Sequence, residues 1–169
     1  MDARARRGAT VLFSTAAVVC AVDRATKVWA AHALADKPID LFGGVLTLRY
    51  TTNSGGAFSL GQRTPWLFAA ATLIVSGLIV LTAFRSRNAV SALGLGLVLG
   101  GALGNLADRA LRGPGLSGHV VDFIDLHWWP VFNVADSAIV IGAVVIAWAS
   151  FREERPADVA AGGAQDDAP

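Results

Sequence analysis

Apolar residues in this chain form four long runs, separated by two stretches of different character. The first run goes from Thr10 to about Leu34 and contains three charges, Asp23, Arg24 and Lys27. The second, Trp66 to Phe84, has no charged residue. The third extends from about Val90 to Ala110 and closes on Asn105, Asp108 and Arg109, and the fourth from about Asn133 to Phe151. Each is close to the ~20 residues an α-helix needs to cross a bilayer. The pattern therefore predicts four transmembrane helices over about 10–34, 66–84, 90–110 and 133–151, the first interrupted at its charges. Arg4, Arg6 and Arg7 before an apolar run also suit a cleaved leader. The run continues through Trp29 and Ala30 with no polar mature domain after it, so a first span is expected instead. In the third run, Leu-Gly-Leu-Gly-Leu and Leu-Gly-Gly-Ala-Leu-Gly set small residues along one face for close helix packing.

Between the first two spans, about 36–63, the periodicity changes. Ile39 to Gly44 reads as a strand entering a turn, and Val45 to Thr52 as a second, β-branched strand. Asn53-Ser54-Gly55-Gly56-Ala57-Phe58 reads as a tight glycine loop. This segment is too short for a domain and is expected to form a small sheet at the membrane surface. Residues 111–132 are expected to form a second outer segment of loop and short helix. The tail over 152–169, rich in Ala, Gly, Asp and Pro, has little to bury and is expected to be disordered. The fold class is thus an integral membrane, mainly α, single four-span domain over 1–151 with a small extracytoplasmic β-sheet.

Composition sharpens this picture. Only 16% of residues are charged, against roughly 25% in soluble domains, which supports a membrane protein. Net charge is +1, without a basic, aromatic-interleaved patch, so nucleic acid is not expected as a partner. The lone Cys20 excludes an intrachain disulfide and a cysteine-rich metal site. His32, His119 and His127 share no ligand spacing, and neither HExxH, a P-loop nor Gly-x-Ser-x-Gly occurs, so no metal or cofactor is expected. Lys and Arg concentrate near the N-terminus, at Arg85 and Arg87, and at Arg152 and Arg155, which predicts both termini in the cytoplasm. The sheet and the 111–132 segment then face outward.

The candidate chemistry lies between Gly118 and Ser137, where Asp122, Asp125 and Asp136 sit among apolar and aromatic residues beside the fourth run. Carboxylates so near a span are costly and suggest function. Asp136, three residues after Asn133, also suits a helix cap, and the two roles are compatible. Asp122 is flanked by Val120-Val121 and Phe123-Ile124, a setting in which a carboxylate pairs or takes up a proton. Two such acids held together share a proton near neutral pH and can activate water. Spacing leaves open whether Asp122 or Asp125 partners Asp136. Asp23 and Lys27, four apart, form a possible ion pair tying the first helix into the bundle. A proton-relay transporter built on Asp23, Asp108, Asp122 and Asp136 is the competing class, but no inverted repeat is visible.

Five motifs in order, Asp23-Arg24-Ala25-Thr26-Lys27, Asn53-Ser54-Gly55-Gly56-Ala57-Phe58, Gly104-Asn105-Leu106-Ala107-Asp108-Arg109, Gly118-His119-Val120-Val121-Asp122-Phe123 and Phe132-Asn133-Val134-Ala135-Asp136-Ser137, resemble those of the lipoprotein signal peptidases, or signal peptidase II. The resemblance implies a bacterial plasma-membrane aspartic peptidase with Asp122 and Asp136 as catalytic pair. It implies that Asn53, Gly55, Asn105, Arg109 and Asn133 line the substrate groove, and that Asp23, Lys27 and Asp108 are polar supports. The implied substrates are prolipoproteins, cut just before a diacylglyceryl-modified cysteine near the outer surface by a monomer in contact with membrane lipid. The Arg112–Ser117 link is longer than the resemblance leads one to expect.

Overall fold

The computed structural model of the chain describes residues 3–53, 65–85 and 88–153. The order is α1 (Ala3–Ala33), β1 (Ile39–Leu41), β2 (Leu46–Asn53), α2 (Pro65–Thr82), α3 (Ala89–Leu111), β3 (Val120–Asp125) and α4 (Val134–Glu153). α1, α3 and α4 are long and apolar enough to cross a membrane, while α2 contributes a shorter apolar helix over Ala69–Thr82. Gly55, the rest of the loop after Asn53, Arg63, Arg87, and Arg155 with the tail lie outside the described residues.

α1 differs from its expected form in two ways. It begins at Ala3, well before the apolar boundary, because Ala and Arg are strong helix formers and Arg4, Arg6 and Arg7 stand exposed. It also runs unbroken through its charges. Asp23 and Lys27, one helical turn apart, turn inward at 1% and 0% exposure and find partners, Lys27 on α3 and Asp23 on α4, so the backbone has no reason to break.

α3 is the central helix, and its glycines set how closely α1 and α4 approach. A Cβ added at Gly96 would stand 2.6 Å from the Leu12 carbonyl oxygen, and one at Gly100 2.7 Å from Val19 Cβ, both on α1. Toward α4, a Cβ at Gly94 would lie 2.7 Å from Ile146 Cγ1, and one at Gly101 would land on the Ala135 carbonyl oxygen. No larger side chain fits either seam, as expected where helices associate through close backbone contact. Leu12, Ala16, Ile79, Ala83, Ala92 and Leu99 form the apolar core that joins α1, α2 and α3. Ile74, Leu78, Leu81, Val140 and Val144 point outward and exposed.

The sheet has three antiparallel strands in the order β1-β2-β3. β3 corrects the expectation of loop and helix over 111–132. Val120 to Asp125 is buried almost throughout, with Phe123 packed on Ala30 of α1 and Leu34 just after it. A strand covered on both faces loses the apolar–polar alternation by which strands are recognised. The Arg112–Ser117 link folds into a 3₁₀ turn over Pro114–Leu116, and the Gly118 N–H returns to the Arg109 carbonyl at 3.2 Å. Thr51 faces Asp122 and Asn53 faces Val120 across the β2–β3 ladder, after a register shift between Leu48 and Thr51. Asn53 therefore lies diagonally opposite Asp122.

Candidate active site

The site starts at the N-terminus of α4, where Asn133 and Asp136 cap each other. The Asp136 N–H donates to Asn133 Oδ1 at 3.0 Å, and the Asn133 N–H donates to Asp136 Oδ2 at 3.2 Å. This is a reciprocal capping box. The next free amide, Ala135 N–H, donates to Asp23 Oδ1 on α1 at 3.0 Å. The helix start is thus fixed by side chains from its own first turn and from α1.

From there a hydrogen-bonded network runs through the protein interior. Asn133 Nδ2 donates to Asp122 Oδ1 at 2.6 Å, so one asparagine touches both acids. Asn105 Nδ2, on α3, donates to Asp136 Oδ1 at 2.8 Å. Lys27 Nζ donates to Asn105 Oδ1 at 2.8 Å and pairs with Asp23 Oδ2 at 2.8 Å and Asp108 Oδ2 at 3.0 Å. Asp108 also accepts the Val121 N–H at 3.2 Å and meets Arg112 at 3.1 Å, which ties β3 and the link after α3 to the same centre. Lys27, Asp23, Asp108 and Asn133 are almost without solvent contact. An ammonium in that position is tolerable only because three oxygens receive its three N–H groups.

The two acids sit in unequal surroundings. Asp122 is 3% exposed, and burial first, then the nearby Asp136 charge, push its carboxyl up to about 7, against the opposing hydrogen bonds from Asn133 and Asn53. Asp136 is half-buried and opens onto a groove of about 380 Å³ lined by Leu126, Trp128, Trp129, Phe132, Val140 and Ile141. Asp125, left as an alternative by spacing alone, is engaged elsewhere. Its oxygens accept from Arg49 Nε at 2.6 Å and the His127 N–H at 2.8 Å, and the Arg49 bond chiefly holds its carboxyl below the usual range.

The structure brings Asp122, Asp136, Asn53, Asn105 and Asn133 together, with Asp23, Lys27 and Asp108 behind them. Arg109 is buried beside them, donating from Nη1 to the Asn105 carbonyl at 3.2 Å, while its Nε has no partner among the described residues. Sequence reasoning missed the groove-lining residues Leu126, Phe132, Val140 and Ile141. They come from the β3–α4 connection and one face of α4, and only the fold unites them. The pairs Trp128-Trp129 and Val140-Ile141 were visible as aromatic and apolar doublets, without a sign that they share a cavity.

A bundle with apolar outer faces, closed by glycine seams around buried carboxylates and one buried lysine, defines an integral membrane protein with an acid–base centre. Residues 15–152 match the family described as "Signal peptidase (SPase) II", and the chain belongs to that family. A lipoprotein signal peptidase of Rhodococcus jostii (strain RHA1) is 48% identical over 141 residues, 80% of this chain and 70% of the relative. One of Mycobacterium avium (strain 104) is 45% identical over 148 residues, 85% of this chain and 80% of the relative. A solved bacterial membrane enzyme is similar with a TM-score of 0.72 at 25% identity, covering 92% of both chains. Family membership makes the chain a transmembrane protease of the lipoprotein signal peptidase kind.

Proposed function

We propose that this protein is an aspartic endopeptidase that cleaves prolipoproteins just before the diacylglyceryl-modified cysteine, with Asp122 and Asp136 as its catalytic pair. The observation that carries the reading is the Asp122–Asn133–Asp136 bridge at the inner end of an apolar groove. The environments of the two acids divide the roles. Asp122, buried and raised to about 7, holds the proton at rest. Asp136 takes the part of the base, because it accepts from Asn105 and from the Asn133 N–H at the positive end of α4 and opens onto the groove.

Water between the acids loses a proton to Asp136 as its oxygen bonds to the scissile carbonyl carbon, and Asp122 gives its proton to the carbonyl oxygen. When the C–N bond breaks, the proton on Asp136 passes to the leaving nitrogen, and the tetrahedral centre returns a hydroxyl proton to Asp122. The pair ends as it began. Arg109, with its Nε free of partners among the described residues, and Asn53 are donors for the substrate backbone. The groove takes apolar parts of the substrate beside the scissile bond, and Trp128 and Trp129, both exposed, flank it.

Residues 1–151 make one unit that crosses the membrane four times, α2 included, since its 18 residues span about 27 Å. Both termini face the cytoplasm and the dyad faces outward, a reading supported by the arginines exposed at the start of α1. The protein works as a monomer in contact with membrane lipid, and the acid pair itself supplies the acid and the base that attack by water requires. The test is prolipoprotein processing in membranes. Asp122→Asn and Asp136→Asn each abolish cleavage while the protein remains inserted and abundant. Near-normal cleavage by either variant overturns the assignment.

A further inference from the structure

The side-chain amides of Asn105 and Asn133 must each be turned one way for the site to work, and donor-only groups decide which. An ammonium has three N–H donors and no acceptor, so the Asn105 atom facing Lys27 Nζ at 2.8 Å is the amide oxygen. The Asn105 NH₂ is thereby aimed at Asp136 Oδ1, 2.8 Å away. In the same way the Asp136 backbone N–H, a donor only, fixes the Asn133 oxygen and sends its NH₂ to Asp122. The second lock is local to one helical turn. The first reaches from α1 through α3 to α4.

We propose that Lys27 is a positioning residue that locks the Asn105 amide and so keeps its NH₂ donating to Asp136, the water-activating acid. The inference deepens the reading of Asp136 as the base and rests on it. Lys27 has no free valence for anything else, since its remaining donors go to Asp23 and Asp108. Without it the Asn105 oxygen keeps only the neutral donor Asn133 Nδ2 at 3.2 Å, so the amide is held less firmly against turning its oxygen to Asp136, where two acceptors repel and the carboxylate loses its donor. The charged and titratable groups around Asp136 are Asp122 on β3, Arg109 and Asp108 on α3, and Asp23 and Lys27 on α1. Cys20, one turn from Asp23, is engaged with the Gly100 carbonyl at 3.2 Å. Among these only Lys27 donates to the Asn105 amide oxygen from a charged group, while Asn133 Nδ2 also reaches it at 3.2 Å as a neutral donor shared with Asp122. A lysine serving packing alone would change yield and melting temperature when replaced, with no effect on how the reaction depends on pH.

The experiment is the pH profile of processing by full-length enzyme in detergent or membranes. Lys27→Met moves the acid limb to higher pH by about one to two units, the size expected for losing one hydrogen bond to a charged group. At any pH on the acid limb kcat falls about tenfold per unit of displacement, with KM little changed, because one pH unit there is a factor of ten. Asn105→Leu produces a shift of the same sign and size. The double variant shows no further shift, since both act through one amide. Arg112→Gln, which disturbs the other oxygen of Asp108, lowers stability and leaves the limb in place. If Lys27→Met does not accumulate, Lys27→Met with Asp23→Asn removes one buried charge of each sign and carries the same test. An unmoved acid limb, or shifts that add in the double variant, overturns the lock. Asp136→Asn retaining activity would instead overturn the dyad, so the two failures are told apart.

Discussion

Asp122→Asn should make the protein inactive and more stable, by an amount that depends on pH in a defined way. The Asp122 carboxyl, ordinarily near 3.8, is raised to about 7. A raised carboxyl means the folded state holds its proton where the unfolded chain has released it. Below pH 4 both states are protonated and the residue carries no penalty. Between about 4 and 7 the folded state loses stability relative to an asparagine variant by ~1.4 kcal/mol per pH unit, and above that the difference levels off. Three units give an upper limit of roughly 4 kcal/mol. Asparagine keeps an oxygen to accept from Asn133 Nδ2 but has one acceptor fewer for Asn53, so the gain falls below this limit. For a chain of this size ~1 kcal/mol moves the melting temperature by about 2–4 °C, which sets a ceiling of roughly 8–16 °C at pH 8. Thermal unfolding of detergent-purified wild type and variant from pH 4 to pH 8, alongside processing, is the assay. An equal melting temperature at pH 8, or a difference that does not change with pH, would show that Asp122 carries no buried proton.

Three further outcomes follow from the same geometry. Asp125→Asn keeps processing within a few-fold of wild type but loses stability at pH 7. That loss disappears in strongly acid solution, because a carboxyl held below its usual range by Arg49 stabilises only above the unfolded value and ceases to as it is protonated; melting curves at pH 3 and pH 7 test it. Gly101→Ala costs about 1–3 kcal/mol in thermal denaturation and lowers processing, since the new methyl pushes on the Ala135 carbonyl one residue before Asp136. Val140→Trp fills the groove beside Asp136 and lowers kcat/KM about tenfold or more at unchanged melting temperature; an unaltered kcat/KM would remove the groove from the substrate path.

The elements that could be read from sequence were those whose burial is periodic or uniform. The spans about 90–110 and 133–151 match α3 and α4 closely, because an apolar helix with a glycine face or a capped start carries its own boundaries. α1 was expected to break at Asp23 to Lys27 because sequence displays the charges without their partners on α3 and α4. β3 was hidden by being covered on both faces. The candidate residues Asn53, Asn105, Asn133, Asp122 and Asp136 do converge, but their choice came from motif resemblance, and spacing alone could not separate Asp122 from Asp125. What separates them physically is strand register. Asp122 lies on the side of β3 that meets Asn53 and Asn133, whereas Asp125, three residues on, faces Arg49.

The glycine seams and the polar centre are one design. An asparagine reaches only a few ångströms from its backbone, so a bridge from α1 through Asn105 to Asp136 exists only if α3 is in near-backbone contact with both neighbours. Gly100 and Gly104 bring α1 close enough for Lys27 and Asp23, and a Cβ at Gly104 would stand 2.6 Å from Asp23 Oδ2 itself. Gly101 does the same for the first turn of α4. Close backbones in turn exclude water from the centre, and it is this exclusion that raises Asp122 and makes each hydrogen bond to Asp136 count. A methyl group on the seam and a lost amide in the network should therefore fail in related ways: the first by moving the donors, the second by removing one. Both should lower the melting temperature, since a lost Asn105 amide also takes one oxygen from the buried Lys27 ammonium, and only the second should shift the pH profile.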